Sequence, residues 1–145
     1  MTGPDPAAPR SAGILVIDDD EAIRQALETV LGDEGYPVRL ARNGSDGLAL
    51  LRAQGSEGAP CVILVDLMMP VMDGWSFLRA HAGDPTLSRI PVVVITAHGQ
   101  SATEELVAEM HPAAVLWKPL KLDAVLETVG RFCAGCRGLT GRSKA

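Results

Sequence analysis

The chain has 145 residues, of which 47% are hydrophobic and 21% charged, and its formal net charge is −5. These values are typical of a single globular domain with a buried core, and the acidic balance argues against a basic surface for nucleic acid. No apolar run approaches the ~20 residues of a membrane span. Residues 1–13 lack the apolar segment of a secretory signal, which predicts a cytoplasmic location. Their three prolines and small residues predict a disordered leader.

Five short apolar runs alternate with helical patterns. The runs are "ILVI" (14–17), "VRLA" (38–41), "VILV" (62–65), "VVVI" (92–95) and "AVLW" (114–117). They are mostly unbroken, which is typical of strands covered on both faces in a parallel sheet.

The first helical pattern follows the first strand, with apolar residues at helical spacing. Asp20 is placed to cap its N-terminus, and Gly32 or Gly35 to end it. Further helices are predicted to start near Ser45, at Gly74, at Ser101, where Glu104 completes a capping box, and at Leu122. We expect the last of them to end at Phe132.

Five strand-then-helix units predict one doubly wound α/β domain, flavodoxin-like, over residues 14–133. Its five-stranded parallel sheet is predicted in the order 2-1-3-4-5, with helices on both faces. Residues 134–145 are predicted to form a flexible tail.

Three cysteines fit a reducing compartment. Cys61 opens an apolar run and is predicted to be a small core residue. "CAGC" (133–136) has the spacing of a redox pair or half a zinc site, but the sequence has no second pair, and the motif closes a helix instead of opening one. We therefore favour two unpaired thiols at Cys133 and Cys136.

Polar residues end four of the five predicted strands. The first ends in Asp18–Asp19, the third in Asp66, the fourth in Thr96 and the fifth in Lys118. Ligands of open α/β sheets bind beyond the carboxyl ends of the strands, where the winding direction changes. In the predicted order the first and third strands are neighbours there, so these side chains are expected to converge.

Three carboxylates in one pocket require a cation, because like charges this close repel one another. Oxygen ligands with room for water suit Mg²⁺, and Mn²⁺ would serve too. The turn after the first strand, "DDDE", contains no glycine and would repel a bare phosphate, which argues against a nucleotide site.

Four motifs resemble the receiver domain of bacterial two-component response regulators. They are "ILVIDDDEAIR", "VILVDLMMPVMDGWSFLR", "PVVVITAHG" and "VLWKPL". They occur in the family's order, and the resemblance runs from about Ile14 to Phe132.

The resemblance implies a phospho-acceptor and a metal site. Asp66 corresponds to the acceptor, whose carboxylate attacks the phosphorus of a phosphohistidine. Asp19, Asp66 and the backbone carbonyl of Met68 would ligate Mg²⁺ directly, and Asp18 would hold it through water. Asp20, third in the acidic run, is interpreted as the helix cap.

The resemblance also assigns roles around the phosphoryl group. Lys118 would pair with one phosphoryl oxygen and Thr96 would donate a hydrogen bond to another. Pro70 and Gly74 would shape the loop over the site, and a cis peptide bond would precede Pro119.

Two positions near the site are less regular. Val115 stands where the family commonly carries a Tyr or Phe that moves during switching; Trp117, on the same strand face, is a candidate to replace it. His98 is interpreted as a modulator of dephosphorylation, with an exposed loop residue as the alternative.

These residues predict a stand-alone response regulator in a phosphorelay. It would accept a phosphoryl group from a histidine kinase or a histidine phosphotransfer protein, without enzymatic activity beyond self-phosphotransfer and autodephosphorylation. It would signal to a downstream protein through the fourth predicted helix (101–110), the fifth strand and the last helix, and would touch neither nucleic acid nor membrane.

Two alternatives share the fold. The first is a binding module that works without phosphorylation. The second is a Mg²⁺-dependent phosphohydrolase with an Asp nucleophile; Met68 stands where such enzymes usually place their general acid, which argues against it.

Overall fold

A computed structural model describes residues 13–54, 59–67, 74–97 and 111–139. Its centre is a parallel sheet in the order β2-β1-β3-β4-β5. The strands are β1 (Ile14–Ile17), β2 (Val38–Ala41), β3 (Val62–Asp66), β4 (Val92–Ala97) and β5 (Ala114–Lys118). The predicted strands and their order are therefore confirmed.

The described helices are α1 (Glu21–Asp33), α2 (Gly44–Gln54), α3 (Gly74–Ala82) and α4 (Leu122–Leu139). Asp20 caps α1, since its Oδ1 accepts the backbone N–H groups of Ala22 and Ile23 at 2.9 and 3.3 Å. Gly35 follows α1 with a φ of 94°, a left-handed conformation that suits glycine, whereas Gly32 lies inside the helix. The helix predicted over residues 101–110 lies outside the described residues.

The sheet separates two apolar cores because successive strand residues point to opposite faces. One core lies under α2 and α3, and the other under α1 and α4. The first contains Leu15, Ile17, Ile63, Val65, Val92, Val94, Leu48, Leu51, Phe77 and Leu78. The second contains Ile14, Val16, Val62, Leu64, Val93, Ile95, Leu27, Leu31, Val125 and Val129. Both faces are therefore covered, as the unbroken apolar strands predict.

The two ends of the domain differ from the prediction. Gly13, assigned to the leader, is buried, and its carbonyl accepts the N–H of Cys61 at 2.7 Å. At the other end the helical backbone of α4 is interrupted at Cys133, directly after the predicted end at Phe132, and a second helical stretch then continues to Leu139, so the predicted tail begins with helical backbone. No helix in the described parts of the chain is long and apolar enough to cross a membrane.

Cys133 is disulfide-bonded to Cys61, and their Cα atoms are 5.4 Å apart. The interpretation of Cys133 as an unpaired thiol was therefore wrong. The physical reason is long-range packing: α4 lies across the sheet so that Cys133 reaches the residue before β3, 72 positions earlier in the chain. The spacing of "CAGC" contains no information about this pairing.

Candidate functional site

Strand register brings two predicted aspartates to one edge of the sheet. Ile17 of β1 is paired with Val65 of β3, so the next residues, Asp18 and Asp66, follow at neighbouring positions. Both residues are buried, with exposed fractions of 0% and 3%. The carboxyl ends of β1 and β3 therefore form the floor of the site.

The neighbouring strands bring two further predicted residues to the same edge. Asp66 is paired with Ile95, so Thr96 comes one position further along β4. Thr96 is 3% exposed, and the residue after it is paired with Lys118 of β5. The structure thus places Thr96 and Lys118 at the edge that holds the aspartates.

Three carboxylates gather at this edge. Asp18, Asp19 and Asp66 each offer an oxygen atom, and these oxygens lie within 4.8 Å of one another. Asp19 is exposed, in contrast to its two buried partners. The cluster is therefore open to solvent on the Asp19 side.

Asp18 is fully buried, and its two carboxylate oxygens have different surroundings. Its Oδ1 accepts the backbone N–H of Asp20 at 2.8 Å. Its Oδ2 is buried and accepts no hydrogen bond from any described residue; the closest ion-pair partner of this oxygen is Lys118, whose Nζ is 3.9 Å away. Burial raises the pKa of Asp18 from 3.8 to about 6, and the nearby carboxylate of Asp66 adds to this shift.

Lys118 joins the two buried aspartates. Its Nζ donates a hydrogen bond to Oδ2 of Asp66 at 3.1 Å and lies within ion-pair distance of Asp18. Burial by itself lowers the pKa of Lys118, but the carboxylates of the cluster outweigh this effect and raise it. The lysine is therefore held as a cation at the site. The peptide bond between Lys118 and Pro119 is cis, as the resemblance implied.

Arg24 was missed by the sequence analysis. Its Nη1 donates a hydrogen bond to the backbone carbonyl of Asp18 at 2.8 Å and so ties α1 to the strand end. The position of Arg24 in the sequence could have indicated this contact. It lies one helical turn after the Asp20 cap, and from there a long side chain can reach back over the N-terminus of α1.

The loop predicted to cover the site lies mostly outside the described residues. Met68, Pro70 and His98 belong to those parts of the chain. Gly74 is described: it begins α3, and its N–H donates to the carbonyl of Leu67 at 3.0 Å. A Cβ atom at Gly74 would lie 2.6 Å from the carbonyl oxygen of Asp66, so glycine permits the close approach of α3 to the end of β3.

The donor atoms of the cluster fit a hard divalent cation. Carboxylate oxygens are the protein ligands that Mg²⁺ prefers, and it commonly retains waters, for which the exposed side at Asp19 leaves room. Moreover, Oδ2 of Asp18 is a buried polar atom that lacks a hydrogen bond within the described residues. A carboxylate oxygen of this kind is stabilised when a cation or its bound water lies nearby.

Comparisons with known proteins agree with this geometry. The profile of the response regulator receiver domain matches residues 14–130. Protein PilH of Pseudomonas aeruginosa is 32% identical over 124 residues, which are 86% of this chain and 99% of PilH. Response regulator PleD of Caulobacter vibrioides is 46% identical over 87 residues, which are 60% of this chain and 18% of PleD.

A solved structure shows the same likeness. The chemotaxis protein CheY4 of Vibrio cholerae superimposes with a TM-score of 0.72 and 29% sequence identity. The superposition covers 86% of this chain and 99% of CheY4. Sequence and structure comparisons thus identify the same domain type.

Proposed function

The chain belongs to the response regulator receiver domain family, and from this premise we propose that it accepts a phosphoryl group on Asp66 in a Mg²⁺-dependent reaction. The observation that supports the proposal is the surroundings of Asp66. Asp66 is 3% exposed, and its carboxylate lies beside two further carboxylates and accepts a hydrogen bond from Lys118 at 3.1 Å.

The proposed chemistry is a transfer from a phosphohistidine to a carboxylate. An oxygen of Asp66 attacks the phosphorus, a P–O bond forms, and the N–P bond to the imidazole breaks. Charge neutralisation and positioning supply most of the catalysis in such transfers. Lys118 pairs with one phosphoryl oxygen, and the hydroxyl of Thr96 donates a hydrogen bond to another.

The acidic residues hold the metal in this proposal. Asp19, Asp66 and the backbone carbonyl of Met68 would hold Mg²⁺ directly, and Asp18 would hold it through a water molecule. When bound, the ion neutralises negative charge on the transferred group.

The phosphoryl group would come from a histidine kinase or a histidine phosphotransfer protein. The protein would work in the cytoplasm as a signalling protein and turn over no external phosphate ester. Output would pass to a partner protein through β5, α4 and residues 101–110, by a shift between two states of that face. Val115 and Trp117 are both half-buried on β5, where Trp117 would report the switch in place of an aromatic residue at 115.

Incubation with Mg²⁺ and a small phosphodonor such as acetyl phosphate tests the proposal. Intact-mass measurement should show one added phosphoryl group, which is absent with EDTA and in Asp66→Asn. Asp33 is an exposed residue at the end of α1. The variant Asp33→Asn is the matched control and should gain one phosphoryl group like wild type. A mass gain that survives Asp66→Asn, or no gain at all, would favour a binding module that works without phosphorylation.

Metal binding is tested separately by tryptophan fluorescence. Addition of Mg²⁺ should change the emission of Trp75 or Trp117 in wild type, and Asp19→Asn should weaken the response. A flat titration up to tens of millimolar, a generous range for a carboxylate site, would contradict the proposed metal pocket.

A further inference from the structure

The Cys61–Cys133 bond lies at the end of the sheet opposite to Asp66. Cys61 immediately precedes β3, whereas Asp66 is the last residue of that strand. Five strand residues span roughly 13–17 Å at 3.3 Å per residue. The bond is therefore separate from the phosphorylation site and has no part in the proposed phosphoryl transfer.

The bond joins α4 to the sheet at an irregular point of the helix. Cys133 has φ −123° and ψ 22°, which are not helical values, although helical backbone continues to Leu139. Cys133 is 1% exposed and packs in the apolar core under α1 and α4. The crosslink thus lies at the start of the second part of α4, residues 133–139, and joins it to the residue that precedes β3.

The surroundings of Cys61 also suit a free thiol. Cys61 is half-buried whereas Cys133 is 1% exposed, so Cys61 is the more accessible of the two residues. The carbonyl oxygen of Gly13 lies 3.2 Å from Sγ of Cys61. A disulfide sulfur has no proton to donate, but the reduced thiol can donate a weak hydrogen bond to this oxygen. Both redox states of Cys61 are thereby accommodated.

From these observations we propose that Cys61 and Cys133 are a reversible thiol–disulfide modification site, whose closed form holds the second part of α4 against the base of the sheet. In a reducing compartment such bonds form transiently and serve in redox sensing or catalysis. In this protein α4 would respond to the redox state, because the bond crosslinks it to the residue that precedes β3.

The proposed reaction partner is a low-molecular-weight disulfide such as oxidised glutathione. The thiolate of Cys61 attacks one of its sulfur atoms, which forms a mixed disulfide and releases one small thiol. The thiolate of Cys133 then attacks Sγ of Cys61 and releases the second small thiol. Two protein thiols are oxidised, one small disulfide is reduced to two thiols, and the protons of the cysteines end on the released thiols.

The first experiment maps the bond in the full chain. Wild type is treated with oxidised or reduced glutathione, alkylated and digested, and the crosslinked peptides are identified by mass spectrometry. The expected product is a Cys61–Cys133 crosslink that is lost on reduction. Cys136→Ser is the matched control and should form the same crosslink, whereas Cys61→Ser should not. No crosslink, one that resists reduction, or one that involves Cys136, would overturn the proposal.

The second experiment compares the oxidised and reduced forms of wild type, so it needs no substitution. Closing a long loop restricts the unfolded chain, and the bond spans 72 residues. We expect the oxidised form to melt at least about 5 °C higher. Amide hydrogen exchange should slow at least severalfold in α4 from Cys133 to Leu139 and stay unchanged in α2. Equal melting temperatures, or equal exchange in α4, would contradict the closed form as a constraint on this helix.

Discussion

Nζ of Lys118 lies 3.1 Å from Oδ2 of Asp66, so the cation that ends β5 is paired with the carboxylate that ends β3. The same Nζ is 3.9 Å from Oδ2 of Asp18. One lysine therefore compensates two buried negative charges that come from different strands. Lys118 therefore contributes to the stability of the metal-free protein, and it is also the residue proposed to contact the phosphoryl group.

Replacement of Lys118 by Met should lower both stability and phosphorylation. The substitution leaves Asp18 and Asp66 buried without their cation, and an unsatisfied buried polar group destabilises by about 1–3 kcal/mol. Urea unfolding at pH 7.5 in EDTA measures the change, and intact mass after acetyl phosphate treatment measures phosphorylation. Lys121→Met, at an exposed lysine of the same segment, should leave both unchanged. Unchanged stability in Lys118→Met would show that the ion pair contributes little.

Asp18→Asn should stabilise the metal-free protein at neutral pH. Ionisation of a carboxyl whose pKa rises from 3.8 to about 6 on folding destabilises the folded state by up to about 3 kcal/mol. Because the folded-state pKa is the higher one, wild type should lose this stability as the pH rises from about 4 to about 6. Asn cannot ionise, and its carbonyl can still accept the N–H of Asp20.

Urea unfolding of wild type and Asp18→Asn in EDTA at pH 7.5 and pH 4 tests this sign. The variant should be more stable at pH 7.5, with a smaller difference at pH 4. Asp19→Asn should be at least as stable as wild type, with a smaller gain than Asp18→Asn because Asp19 is exposed. A variant at Asp18 that is less stable than wild type at pH 7.5 would show that Lys118 already compensates the charge fully.

Much of the site could be predicted because its residues end strands. Asp18, Asp66, Thr96 and Lys118 each follow or close an apolar run, and parallel strands bring their carboxyl ends to one edge. The strands could be predicted from the local composition of the apolar runs. The order of the strands in the sheet then determines which of the side chains that follow them lie close together. The register of β1 with β3 confirms this reasoning for the two buried aspartates.

The remaining features depend on long-range packing that local patterns do not encode. The bond between Cys61 and Cys133 requires the path of α4 across the sheet, and the contact of Arg24 with the Asp18 carbonyl requires the angle between α1 and β1. The helical stretch that follows the kink at Cys133 was not predicted, because Gly135 and Gly138 have low intrinsic helix propensity. Helical backbone nonetheless extends to Leu139.

Protonation of His81 should destabilise the protein in mild acid. His81 is 8% exposed, and its Nε2 is 2.9 Å from the carbonyl oxygen of Ile90, so Nε2–H donates a hydrogen bond to that oxygen. Burial lowers the pKa of His81 below its usual 6.5. Since the unfolded chain binds a proton at higher pH than the folded one, stability should fall as the pH drops below about 6.5.

His81→Gln removes this titration and keeps an N–H donor. The substitution is made in the Asp18→Asn variant, because ionisation of Asp18 changes stability in the opposite direction over this pH range. We expect the double variant to lose less stability between pH 7.5 and pH 5.5 than Asp18→Asn alone, as measured by urea unfolding. His111→Gln is the control, since His111 is exposed. If His81→Gln and its parent lose equal stability, His81 does not contribute to acid sensitivity.

Alanine substitutions at two glycines should have opposite effects on stability. A Cβ at Gly74 would lie 2.5 Å from Cα of Leu67 and 2.6 Å from the carbonyl oxygen of Asp66. Both contacts are with backbone, so α3 or the end of β3 must move, and we expect a loss of about 1–3 kcal/mol. A Cβ at Gly32 meets nothing within 4 Å, and Ala there should stabilise α1 by about 0.5–1 kcal/mol.

Both variants are compared with wild type by urea unfolding and by the rate of phosphorylation with acetyl phosphate. Gly74→Ala should also slow phosphorylation, because the displaced backbone belongs to Asp66, the proposed acceptor. Gly32→Ala should be phosphorylated at the wild-type rate, since α1 ends far along the chain from the Asp20 cap. Full stability and a normal rate in Gly74→Ala would show that α3 can shift without disturbing Asp66, and the glycine would then not be required at the site.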